Sequence, residues 1–153
     1  MSGATPAQIL SAAGVPFATF RHTPIRTHQD VERELGLPTA QLLKTLAFRA
    51  DGRFVLVSMP MALPANYGRI ARAAGVPRAR LRRADEEDLA VLGMAPGGIS
   101  PLTEVADRTV VFHTSVPDMG TVYCGSGRAD ETIEVAAASL VALVDPVLAD
   151  VAG

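Results

Sequence analysis

Two β-prone apolar runs, 43–50 and 53–59, are separated only by Asp51-Gly52. That pair tolerates the positive φ angles of a type I′ turn, so the pattern predicts an antiparallel hairpin. Alternation along a strand puts Lys44 on the face of Leu46 and Phe48, opposite Leu43. An amine among apolar groups suits a pocket wall better than a solvated rim. Upstream, Thr5-Pro6-Ala7-Gln8 reads as a capping box with proline at the first helical position; Ile9, Leu10 and Ala13 then form one face and Gly14 closes the helix. Residues 17–22 alternate as a strand, although the Phe17–Phe20 spacing also fits a helix. Thr27 caps a second predicted helix through Val31 and Leu35, which Gly36 ends with Pro38 beyond it. Helices are predicted over 65–74, closed by Gly75 and Pro77, and over 85–92, whose acidic first turn complements the helix dipole. Strands follow at 109–113, 121–125 and 132–135, then a last helix near 136–144. Without regular βαβ alternation, the expected class is α+β with a mostly antiparallel sheet.

The length of 153 residues fits one domain over 1–153, and 48% hydrophobic residues are ample for a core. No apolar run reaches the roughly 18 residues that span a bilayer, so no membrane contact is expected. No basic residue precedes Arg21, unlike the charged start of a signal peptide. The single cysteine, Cys124, cannot form an internal disulfide, which points to a reducing, cytoplasmic setting. A net charge of −2 leaves any nucleic-acid contact to local basic clusters.

Charge composition sharpens the interest in Lys44. It is the one lysine against thirteen arginines. A lysine kept where arginine is otherwise used fits a position that needs a compact amine rather than a planar guanidinium. The second unusual segment is Gly93-Met94-Ala95-Pro96-Gly97-Gly98-Ile99-Ser100-Pro101. Adjacent glycines allow close backbone approach, and consecutive amides of such a loop can point together at an oxyanion or phosphate. The plainer alternative is a tight helix-to-strand connection. The segment has neither Walker A nor dinucleotide-fingerprint spacing.

Three other features invite chemistry. Cys124 with His22 or His113 as base would make a nucleophile pair, but a cysteine among apolar strand neighbours usually behaves as a small hydrophobe. The histidines have no carboxylate pair at metal spacing, so neither metal nor cofactor is expected. Arg69, Arg72, Arg78, Arg80, Arg82 and Arg83 crowd one segment and could hold acceptor-stem phosphates, unless the acidic stretch from Asp85 to Asp88 neutralises them. Sparse aromatics, 5% of the chain, argue against extended base stacking and leave Phe20 or Tyr67 as a rest for one terminal adenosine.

Lys44-Thr45-Leu46 on a strand, a hairpin, and then Pro96-Gly97-Gly98-Ile99-Ser100-Pro101-Leu102 resemble the YbaK/EbsC family of aminoacyl-tRNA deacylases, relatives of the editing insertion of bacterial prolyl-tRNA synthetases. The likeness extends through Thr19-Phe20-Arg21-His22, Thr121-Val122-Tyr123, Gly127-Arg128 and the ending Val147-Leu148-Ala149-Asp150-Val151. It implies a mixed, mostly antiparallel, barrel-like sheet surrounded by helices, with a pocket between the lysine strand and the glycine loop. It also implies metal-independent hydrolysis of the ester joining a wrong amino acid to the 3′ end of tRNA, the substrate being of the Cys-tRNA(Pro) kind or carrying another small amino acid. In that scheme Lys44, Gly97, Gly98 and Ser100 are catalytic, and Phe20, His22, Thr45, Ile99, Pro101 and Thr132 surround the substrate. The partner is the acceptor end of mischarged tRNA, held through Arg69, Arg72, Arg78 and Arg80; whether an aminoacyl-tRNA synthetase delivers it stays open.

Departures from the family bear on specificity. The cysteinyl branch commonly has tyrosine where Phe20 stands and aspartate close to Thr132; the alanyl branch has asparagine where Thr45 stands. A non-catalytic module that binds tRNA ends or a nucleotide on the same fold, and a hydrolase of small non-tRNA esters, are the alternatives.

Overall fold

The structure, a computed structural model, describes residues 3–24, 36–37 and 39–153. The helix expected from Thr27 through Leu35 lies outside the described residues.

Helix α1 (Pro6–Ala12) opens on a complete capping box, Thr5 accepting from the Gln8 amide while Gln8 accepts from that of Thr5, and Gly14 follows it at φ 71°. Strand β1 (Phe17–Arg21) comes next, so the strand alternative holds there. The hairpin forms as the pattern requires: β2 (Leu43–Ala50) and β3 (Arg53–Pro60) pair antiparallel, and Asp51 and Gly52 take φ 50° and 82°. α2 (Tyr67–Ala74) starts later than expected because Asn66 caps it, accepting from the Arg69 amide; Gly75 ends it in the left-handed region. β4 (Arg82–Arg83) is a short strand that the basic composition concealed. In α3 (Glu86–Leu92), Asp85 and Asp88 cap each other's backbone amides. β5 (Arg108–His113), β6 (Thr121–Gly125), β7 (Glu131–Ala136), α4 (Ala137–Val144) and β8 (Val147–Ala149) complete the order.

The class is α+β, with the strands in two sheets. One is β1-β7-β6, antiparallel throughout; the other is β4-β2-β3-β5-β8. The second sheet is antiparallel as far as β3, whereas β3–β5 and β5–β8 run parallel. Among the described residues the sheets do not close into a barrel; a parallel bridge between Leu42 and Tyr123 joins their edges. The barrel-like expectation is corrected to that extent.

β3 is central in its sheet, and Phe54 through Met59 are all buried, which explains its unbroken apolar run. Phe48, Val55, Val57 and Met59 pack against Ile70 and Ala71 of α2. On the other side, Leu43 and Phe112 meet Val122, Cys124, Ile133 and Val135, with Leu10 and Leu140 sealing the helical edges. Ala47, Phe54 and Leu56 pack on Leu89, Leu92 and Met94, which anchors the stem of the glycine loop.

Candidate active site

The glycine loop owes its position to three glycines, each for its own reason. Gly97 adopts φ 84°, a region that side-chain-bearing residues avoid. At Gly98 a Cβ would collide with the Arg128 backbone, and at Gly125, the end of β6, it would collide with the Ile99 carbonyl. Loop and strand end are tied further: the Gly98 carbonyl accepts from the Gly127 amide (2.7 Å), and the Ala95 amide donates to the Gly127 carbonyl (2.8 Å). The Gly98 amide is spent on the Ala95 carbonyl (3.0 Å), whereas those of Gly97 and Ile99 have no acceptor among the described residues. In a trans peptide C=O and the next N–H point opposite ways. The Gly98 carbonyl faces Gly127, so the Ile99 N–H faces away from that strand end.

Lys44 reaches the same neighbourhood through strand register. Leu42 and Tyr123 bridge and pack their side chains together. Alternation then puts Lys44, two residues along β2, on the face held by Gly125, two residues along β6. Lys44 is half-buried and its Nζ donates to the Leu63 carbonyl. One bond leaves two of the three ammonium hydrogens for another acceptor. Burial, and then the positive charge of Arg83, push its pKa below the ordinary lysine value.

Across the first sheet, Gly125 pairs with Thr132, and Thr132 with Phe20. Directly paired residues share a face, so Phe20 and Thr132 continue the Gly125 face. His22 joins them: its Nε2 lies 2.8 Å from Thr132 Oγ1 and its Nδ1 2.8 Å from the Thr23 carbonyl. The carbonyl can only accept, so Nδ1 carries a proton; in a neutral ring the Thr132 hydroxyl then donates to Nε2. Phe20 is 41% exposed and its ring stands 6.3 Å from that of Tyr123. A hydrogen bond to Glu134 and burial raise the Tyr123 pKa, keeping the phenol protonated.

Three residues expected near the substrate are turned elsewhere. Thr45 is buried on the β2 face opposite Lys44, its hydroxyl 2.8 Å from that of Ser58. Ser100 is wholly buried; its Oγ accepts from the Leu102 amide (3.1 Å), and its own amide meets Met94 Sδ. Pro101 is buried beside it. These side chains brace the frame. Conversely, Gly125 and the Leu63 carbonyl were not singled out from sequence, and Tyr123 entered only within the matching Thr121-Val122-Tyr123 segment; the only sign of Gly125 was a glycine closing a strand.

Cys124 is buried and its thiol is pushed up to about 12 by desolvation, which removes it as a nucleophile at neutral pH. His113 is structural, its Nδ1 2.8 Å from Ser115 Oγ and its Nε2 3.2 Å from Asp150 Oδ1. Among the described residues no three His, Cys, Asp or Glu side chains group closely enough to hold a metal ion. The arginines divide. Arg69 pairs with Asp150 (2.7 Å), Arg80 with Asp51 (2.9 Å) and Arg82 with Asp88 (2.9 Å). Arg72, Arg78 and Arg83 have no carboxylate partner among the described residues. Arg78 covers the Tyr67 ring, which the sequence had left open to an adenine.

The chain belongs to a class of proteins, the aminoacyl-tRNA editing domains, whose profile matches residues 22–143. Over 110 residues it is 27% identical to a proline–tRNA ligase of Bacillus pumilus (strain SAFR-032); the match takes in 71% of this chain and 19% of that much longer enzyme. The hypothetical protein APE2540 superposes with a TM-score of 0.81 at 25% identity, covering 94% of this chain and 96% of its own. A structure described as a proposed trans-editing enzyme for prolyl tRNA synthetase superposes with a TM-score of 0.77, covering 99% of each chain; at 20% identity that likeness speaks for the fold alone. The resemblance drawn from the lysine strand and glycine loop thus holds. No helix among the described residues is long and apolar enough to cross a membrane.

Proposed function

We propose that the chain is a trans-editing hydrolase that deacylates mischarged tRNA carrying cysteine or another small amino acid, without a metal ion. The observation that carries this reading is that the Leu42–Tyr123 bridge sets Lys44, two residues on, to the same side as Gly125, against which the Gly98–Ile99 backbone packs. The aminoacyl ester is activated, so positioning and charge stabilisation suffice for much of the acceleration. In this scheme the Lys44 ammonium and the outward Ile99 N–H hold the ester carbonyl and the oxyanion that forms from it. Water or a nucleophile of the substrate itself attacks, and the ribose hydroxyl leaves. Phe20, Thr132 and His22 line the adjoining wall, and Gly97 and Gly98 give the loop its shape. Ser100 acts only by bracing that loop.

A panel of mischarged tRNAs assayed with the wild type and Lys44→Ala tests the proposal. The expected result is accelerated ester loss on tRNAs bearing small amino acids, reduced about 10²–10³-fold in the variant, the scale of losing one oxyanion donor. Undiminished hydrolysis by Lys44→Ala refutes the assignment. Tight tRNA binding by the wild type with no accelerated ester loss would instead make the chain a binding module.

A further inference from the structure

Of the six clustered arginines, Arg83 and Arg78 rest on aromatic rings and are not committed to carboxylates among the described residues. β4 pairs with β2 so that Arg83 stands directly opposite Phe48, on the face that also carries Leu46 and Lys44. The Arg83 guanidinium lies 5.7 Å from the centre of the Phe48 ring and donates to the Tyr67 hydroxyl (3.2 Å). The Tyr67 ring meets Phe48 edge-on at 5.1 Å, and Arg78 lies over Tyr67 at 5.2 Å. Both guanidinium groups are therefore held against aromatic rings while most of their N–H donors face solvent. Arginines fixed in this way lose less freedom on gripping a phosphate than free surface chains do. Arg69, Arg80 and Arg82, by contrast, spend their charge on Asp150, Asp51 and Asp88. Arg72 is unpaired too, but has no aromatic contact among the described residues.

We propose that the exposed guanidinium groups of Arg83 and Arg78, stacked on Phe48 and Tyr67, form a phosphate track at the rim of that cluster that guides the single-stranded 3′ end of an RNA toward Lys44. Lys44 lies four residue steps along β2 from Phe48, about 13 Å at the usual rise, a span that a short single-stranded tail can cover. The track ends at an amine whose proton affinity is lowered by burial and, after that, by Arg83, so the two cations share one field. A polyanionic backbone relieves that repulsion. The inference rests on the editing reading for the identity of the RNA, but not for its binding.

The test uses an uncharged acceptor-stem RNA with a single-stranded 3′ end, so that no ester is present and hydrolysis cannot enter. Its affinity is measured over a salt series for the wild type and for Arg83→Ala, Arg78→Ala, Arg69→Ala and Arg80→Ala, with thermal melting to confirm folding. Arg83→Ala and Arg78→Ala should each weaken binding and flatten the slope of log K against log salt by about 0.7, the single-strand value per phosphate contact. Arg69→Ala and Arg80→Ala should keep the wild-type slope. An unchanged slope in the first two, or an equal loss in the second two, overturns the track. Lys44→Ala run alongside separates the proposals: retained RNA affinity with lost deacylation leaves both standing, whereas retained deacylation refutes only the catalytic one.

Discussion

Lys44 is half-buried, hydrogen-bonded to a main-chain carbonyl and placed near a second positive charge. Its shift has a definite sign: desolvation and Arg83 both disfavour the ammonium, so the amine loses its proton at lower pH than a free lysine. If the ammonium stabilises the oxyanion, the rate difference between wild type and Lys44→Ala should fall as pH rises through that lowered pKa. A difference that stays constant into the range where free lysine titrates would show that the charge is not used. Cys124 carries the opposite expectation. With its thiol pushed up to about 12, it should resist thiol reagents in the folded state and react on unfolding. Cys124→Ala should keep full deacylation, at a stability cost of about 1–2 kcal/mol for the small cavity left in the core. Loss of activity in a folded Cys124→Ala protein would reopen the nucleophile reading. Among single residues, sequence composition alone drew attention to Lys44, because one lysine stood out among arginines; no comparable signal marked Thr45 or Ser100 as turned inward, since a buried hydroxyl and a substrate-facing one look alike in a sequence.

Among the elements, the local ones were legible for local reasons. The hairpin followed from Asp51-Gly52, α1 from a capping box written in four consecutive residues, and α3 from its acidic first turn. The missed start of α2 has the same origin, Asn66 being an N-cap hidden within an apolar stretch. What no local pattern announces is one element lying on another, and the loop on β6 is the consequential case. Gly125 exists to admit the Ile99 carbonyl, a contact made across more than twenty residues of sequence. Gly125→Ala should therefore displace the loop and abolish most deacylation, with overpacking of the order of 1–3 kcal/mol. Gly52→Ala, strained at a positive φ but remote from the cleft, should cost about 1 kcal/mol and leave kcat unchanged. Equal losses of activity in the two variants would mean that stability, not loop placement, sets the rate.

The whole molecule was readable as a class rather than as a topology. Mixed strands and helices implied α+β, but the parallel pairing of β3 with β5 and of β5 with β8 joins segments far apart in the chain, and two-faced burial gives no sign of direction. The order and spacing of the lysine strand and glycine loop supplied what periodicity lacked. At this scale the proposed site is a frame: one sheet carries the amine, the other carries Gly125 and Thr132, and the bridge at Leu42–Tyr123 joins them. The proposed reaction draws on no bound ion, so deacylation should be unaffected by prolonged chelation; recovery of lost activity only on adding a divalent metal would contradict that. The most direct measurement is a crystal structure with a non-hydrolysable 3′-aminoacylamide analogue of the tRNA terminus. Its carbonyl oxygen should lie within hydrogen-bond distance, about 3 Å, of both Lys44 Nζ and the Ile99 N–H. An analogue seated elsewhere, or a carbonyl touching neither donor, would contradict the proposed site.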